Sequence, residues 1–137
     1  MASKRTLSEH DEQTFLFHWV HVFEKKHPKL KVVFSTPNGG HRLPSAARKI
    51  KQEGARAGVW DVMVCTPKYI EGEIVSHAMF IEMKVGRNKL TDTQIEFRNN
   101  VLSLNDKYVF VICYNWLDAV REIANYLDLP KEIIPLG

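Results

Sequence analysis

The 137-residue sequence predicts one α/β domain, a mixed four-stranded sheet covered by helices. Three observations predict it. Strand-like apolar runs at 31–36, 59–65, 77–84 and 108–114 alternate with helical patterns. The run Tyr108 to Tyr114 is almost uninterrupted, which predicts a buried, central strand. Hydrophobic residues make up 45% of the chain and charged residues 26%, enough apolar content for a true core.

Each element has a local cause. Ser8 with Asp11 three residues on forms an N-cap signal, and the helix behind it is expected from Glu9 to Lys26, ended by Pro28. Phe15, Leu16, Trp19, Val22 and Phe23 supply its apolar stripe. Lys31 to Thr36 reads as a strand, and Pro37-Asn38-Gly39-Gly40 as a turn. Ser45 to Glu53 reads as a short basic helix with Gly54 just past its end. Val59 to Cys65 and His77 to Lys84 read as strands, and 67–76 as a loop or hairpin tip. Thr91 caps a helix from Asp92 to Leu104, and Trp116 to Leu127 forms the last one. Residues 1–8 are expected as a flexible lead-in to a single domain over 1–137.

Composition excludes several classes. No apolar run approaches the roughly 18 residues that span a bilayer, so no membrane partner is expected. The N-terminus lacks an apolar signal region, so an intracellular, cytoplasmic setting is expected. Cys65 and Cys113 lie inside strand-like runs and read as small buried hydrophobes rather than a disulfide or metal pair. His18 and His21 share a helix at metal-pair spacing, but no third ligand joins them at suitable spacing. The net charge of +3 permits a polyanionic partner without requiring one.

Asp61, Glu82 and Lys84 stand out because each is set in an apolar frame, Gly58-Val59-Trp60-Asp61 and Phe80-Ile81-Glu82-Met83-Lys84. Charges inside such runs are costly unless paired. Glu82 and Lys84, two apart on a strand, share a face. Pairing the two strands as an antiparallel hairpin with Cys65 opposite Ala78 also sets Asp61 opposite Glu82. Two carboxylates that close repel unless a cation lies between them, and hard oxygen ligands favour Mg²⁺ or Mn²⁺. Lys84 then sits where it can orient a water or stabilise charge on a phosphate. A solvated Glu–Lys ion-pair ladder is the competing reading. Glu12, on the inward face of the first helix, is a further candidate carboxylate, or a helix-dipole residue. Gln94 is either the fourth residue of a capping box with Thr91 or an amide reaching the site. His41, Arg42, Arg48, Lys49, Lys51 and Arg56 form a basic stretch suited to phosphate backbone, as do Arg87 and Lys89.

Four segments in order, Thr36-Pro37-Asn38-Gly39-Gly40-His41-Arg42, Lys51 to Asp61, Phe80 to Lys84 and Leu90 to Gln94, closely resemble the VRR-NUC domain of the PD-(D/E)xK nuclease superfamily, and small stand-alone phage proteins in particular. The resemblance runs from about Glu9 to Leu127. It implies a restriction-endonuclease-like fold and a Mg²⁺- or Mn²⁺-dependent endonuclease acting on DNA, with branched DNA such as Holliday junctions as substrate and a homodimer as the working form. For a phage protein the setting would be the host cytoplasm. Asp61, Glu82, Lys84, Gln94 and Glu12 fall on the family's catalytic positions, with Asp61, Glu82 and Glu12 as metal ligands. Trp60 stands where the superfamily pattern often has Pro. A non-catalytic DNA-binding module with the same fold is the alternative. Phe17 and Val20, off the apolar stripe, are compatible with a dimer surface.

Overall fold

A computed structural model describes residues 6–36 and 44–136. Helix α1 (Glu9–Phe23) is followed by a short 3₁₀ turn at Pro28–Val32 and strand β1 (Val33–Ser35). Helix α2 (Pro44–Gln52), β2 (Val62–Val64), β3 (Lys68–Ile70), β4 (Glu73–Ser76) and β5 (Met79–Met83) come next. Then come α3 (Asp92–Leu104), β6 (Val109–Cys113), α4 (Trp116–Tyr126) and a last 3₁₀ turn at Lys131–Ile133. The main sheet has the order β1-β2-β5-β6, antiparallel except for the parallel β5–β6 pair. This is the expected mixed four-stranded sheet.

The expected hairpin register is present: Val62 pairs with Ile81 and Val64 with Met79, so the next step outward sets Asp61 against Glu82. Alternation then divides the sheet into two faces. Val62, Val64, Met79, Ile81 and Met83 join Leu16, Trp19 and Val20 of α1 and Val120 and Ile123 of α4 in the core. Phe80 points the other way, into a ring cluster with Phe97 of α3 and Phe110 of β6 at centroid distances of 5.4 and 5.0 Å. Glu82, two residues on, shares that second face.

Several expectations change. The buried side of α1 runs through Glu12, Leu16, Trp19 and Val20, while Phe15 and Val22 are exposed. The i, i+4, i+7, i+8 set therefore wins over the more apolar neighbouring columns. Val20 is a core residue and Phe17 packs against the core, so neither offers a free dimer surface. β6 is an edge strand, not a central one. Its apolar run reflects a parallel strand largely covered on both faces, with Ile112 and, just beyond the strand, Tyr114 open to solvent. Of the two readings of 67–76, loop or hairpin tip, the structure shows the hairpin: β3 and β4 form a second, two-stranded sheet, turned by Glu71 and Gly72 at φ +52° and +79°. Tyr126 Oη ties this hairpin down, donating to the Thr66 carbonyl at 2.7 Å and lying 3.2 Å from Ser76 Oγ. Lys31 and Val32, expected to open the strand Lys31 to Thr36, belong instead to the 3₁₀ turn Pro28–Val32, which Pro28 starts with its fixed φ, and β1 begins at Val33. Cys65 is exposed while Cys113 is buried, and both are free thiols; burial pushes Cys113 up to about 12.

α4 is held at both ends. Glu12 Oε2 accepts from the Trp116 backbone N–H at 2.6 Å, placing a carboxylate at the helix N-terminus. At the other end the Lys68 ammonium donates to the carbonyls of Asn125 and Tyr126, both at 3.1 Å, and Lys29 donates to that of Leu127 at 3.0 Å.

Candidate active site

Asp61, Glu82, Lys84 and Gln94 meet on the α3 face of the sheet. Glu82 and Lys84 are buried, at 2% and 6% exposure, so neither belongs to a solvated ladder. The Asp61 backbone N–H donates to Glu82 Oε1 at 3.2 Å, and the Met83 N–H donates to Asp61 Oδ2 at 2.9 Å. The two strands thus exchange bonds with each other's carboxylate, fixing both groups against the sheet end. Lys84 Nζ lies 3.6 Å from Glu82 Oε2.

Gln94 performs both expected roles at once. Its Oε1 accepts from the Thr91 N–H at 2.9 Å, closing the capping box of α3. Its Nε2 donates to Glu82 Oε2 at 2.8 Å. A single amide can do this because its donor and acceptor sit on opposite sides. Trp60 helps to hold this helix start. Its indole Nε1 donates to the Gln94 carbonyl at 3.0 Å, and its ring stands edge-on to Phe110 at 4.9 Å. Gly58, at φ +88°, lies against the Thr93 backbone so closely that a Cβ there would collide with the Thr93 carbonyl. Thr36 completes the frame, donating to the carbonyls of Trp60 and Asp61.

The first-helix carboxylate differs from expectation. Glu12 lies in the layer of α1 and α4, spent on the Trp116 N–H, whereas Glu82 points to the opposite face. Glu9 is the α1 acid whose charge reaches Asp61 and raises it. Glu9 Oε1 also accepts from Asn88 Nδ2 at 3.4 Å, tying α1 to the loop after Lys84. Sequence reasoning missed Glu9; its place in the first turn, like that of Glu12, was the available signal. Among the described residues no three His, Cys, Asp or Glu side chains form a metal cluster. The carboxylates that lie together at the site and could hold a cation are Asp61 and Glu82. This donor set fits Mg²⁺ or Mn²⁺, since such ions are held by one or two carboxylates and keep several waters.

Electrostatics agree with that fit. Burial first, then the neighbouring Asp61 charge, pushes Glu82 up to about 8, against a smaller downward pull from Lys84. Burial likewise raises Asp61. The pair thus retains a proton where a cation would sit. A raised carboxyl contributes stability that is complete below its unfolded value, 4.5 for Glu82, and is lost as pH rises through about 8. The melting temperature in chelator should therefore fall from about pH 5 to 9 through this pair. Mn²⁺ should raise it more at the alkaline end. A flat profile, or an equal Mn²⁺ effect at both ends, would count against the pair as the titrating site.

One solved structure, described as a VRR_NUC domain protein, aligns with a TM-score of 0.67 over 92% of this chain and 93% of its own, at 23% identity. The chain shares the VRR_NUC fold. No family model and no curated protein matches it.

The basic residues surround this VRR_NUC-like core unevenly. Arg48, Lys49 and Lys51 are exposed on α2, Arg56 on the turn that follows, and Arg87 and Lys89 on the loop leaving Lys84. His41, Arg42 and the Pro37–Gly40 turn lie outside the described residues. His18 and His21 are exposed on α1, and His21 Nδ1 lies 3.7 Å from Glu24. Among the described residues no helix is long and apolar enough to cross a membrane.

Proposed function

We propose that this chain is a Mg²⁺- or Mn²⁺-dependent endonuclease that hydrolyses DNA phosphodiester bonds, with branched DNA as substrate and a homodimer as the working form. The observation that carries the reading is the buried Asp61–Glu82 pair with Lys84 beside it and Gln94 on Glu82. The VRR_NUC fold of the structural neighbour supports it. A hard divalent cation held by Asp61 and Glu82 would acidify water and neutralise phosphate charge.

The chain's own residues supply the rest. The Asp61 N–H and the Gln94 amide fix the two oxygens of Glu82, and the Met83 N–H fixes Asp61, so the ligands are oriented before substrate arrives. Lys84 presents an ammonium where charge grows on the phosphate oxygens during in-line attack. Arg48, Lys49, Lys51, Arg56, Arg87 and Lys89, with His41 and Arg42, are assigned to the DNA backbone. A four-way junction needs two symmetric cuts, which a two-fold dimer presents in opposed orientation.

The test is a cleavage panel of labelled four-way junction, splayed-arm and linear duplex DNA with Mg²⁺ or Mn²⁺. Metal-dependent nicking near the branch is expected, with loss of roughly 10²-fold or more in Lys84→Ala. Folded wild-type protein that cuts none of the three would end this reading.

A further inference from the structure

A second concave site opens beside the carboxylate pair. On α3, Thr93, Glu96, Phe97 and Asn100 follow the i, i+3, i+4, i+7 spacing of one helix face. That face lines a groove of about 420 Å³ whose opposite wall includes Lys51 and Arg56, on the last turn of α2 and the turn beyond it. The size falls in the range of pockets that hold one small organic ligand. The groove includes Thr93, the residue before Gln94 whose amide holds Glu82, which places it near the carboxylate pair along α3.

The chemistry of the walls names that occupant. Lys51 and Arg56 offer two cations to a sugar-phosphate backbone. Phe97 packs edge-on to Phe80 and is half-buried, leaving part of its ring as a platform. Glu96 and Asn100 carry a carboxylate and an amide one turn apart. The ion pairs among the described residues join His21, Lys68, Lys84 and Arg121 to their acids, so Glu96 is not tied to Lys51 or Arg56. A carboxylate in a groove meant for phosphate alone would repel it. Beside a stacking ring it instead accepts hydrogen bonds from a base edge. Duplex DNA hides its Watson–Crick edges, so a base entering here is unpaired. Guanine offers two adjacent donor groups on that edge, cytosine one amino group, and thymine a single N–H between two repelling carbonyls.

We propose that this groove takes an unpaired nucleotide next to the cleaved strand, its base stacked on Phe97 and read by Glu96, guanine foremost. The proposal rests on the nuclease reading for its substrate, though not for its binding signature. It makes the enzyme selective for branch points with single-stranded character and gives it a base preference there.

The experiment uses fluorescein-labelled splayed-arm duplexes whose first unpaired nucleotide is G, C, A or T, titrated by anisotropy in chelator. The G arm should bind about tenfold tighter than the T arm. Glu96→Gln, which keeps size and helix propensity, should shrink that ratio to about twofold. Asn100→Trp, which fills the groove from an exposed position, should bring splayed-arm affinity down toward that of blunt duplex. Equal affinity for all four arms, or a G:T ratio unchanged in Glu96→Gln, overturns the assignment. The same DNAs are then cut with Mn²⁺. Cleavage without base preference defeats the groove alone. A guanine preference without any cleavage defeats the nuclease reading and leaves the groove standing.

Discussion

Glu82→Gln should lose cleavage by at least roughly 10³-fold while gaining stability in the absence of metal. The substitution keeps shape, but its amide offers one acceptor oxygen where Glu82 accepts from both the Gln94 side chain and the Asp61 N–H, so one of these two bonds is given up against the loss of repulsion. What disappears is the second anion. Asp61 then loses the partner with which it shares a crowded, buried site, and the burial and repulsion that together push Glu82 up to about 8 no longer act on a second charge. At alkaline pH the metal-free variant should be more stable than wild type by roughly 1–3 kcal/mol. Mn²⁺, which should raise the wild-type melting temperature, should leave the variant unmoved. Calorimetric melts and a junction-cleavage assay on the same protein test both halves. A variant that is inactive but less stable at every pH would mean that Glu82 is a structural residue.

Gly58→Ala should destabilise the fold by about 2–4 kcal/mol, a fall of roughly 10 °C in melting temperature. Two terms add. A φ of +88° disfavours any L side chain, and the new Cβ would run into the Thr93 carbonyl. The backbone at Thr93 belongs to the first turn of α3 and cannot move without taking Gln94 with it. Activity should therefore fall together with stability. Gly54→Ala separates the terms: its φ is +105° but nothing lies within 4 Å of the added Cβ, so only the conformational part, about 1 kcal/mol, should be lost. Chemical denaturation of the two variants side by side is the measurement. Equal losses would remove the close approach to Thr93 from the argument.

The heart of the site was legible because it depends on period-two alternation. The apolar frame of Asp61 and the Glu82–Lys84 spacing fix the strands, and the Cys65–Ala78 register matches the observed pairing of Val62 with Ile81. The Thr91–Gln94 capping box was equally plain, though not that one amide serves cap and carboxylate together. The bond of Glu12 to the Trp116 N–H was not legible, because a helical stripe reveals which side faces inward and not which layer it meets. The β3–β4 hairpin carried a signal in Glu71-Gly72 between Tyr69-Ile70 and Ile74-Val75, a two-residue turn suited to positive φ. The placement of Gly58 on Thr93 was illegible, since the two are 35 positions apart by subtraction of their numbers and neither carries a mark of the other. The central placement expected for Tyr108 to Tyr114 failed because burial on two faces does not require a neighbour on two edges.

The two ends of α4 have a consequence for how the molecule comes apart. Helices usually fray from their termini, one hydrogen bond at a time. Here the first turn is latched by Glu12 and the last by Lys29 and Lys68. Fraying from either end must therefore also detach α1, the segment after Pro28, or β3. Residues 12, 29 and 68 are thereby expected to open together with 116–127, a unit drawn from distant parts of the chain, which native-state hydrogen exchange would read as shared protection. The carboxylate pair is built on the opposite face of the sheet against which α4 packs, so loosening α4 is expected to loosen the floor beneath the site.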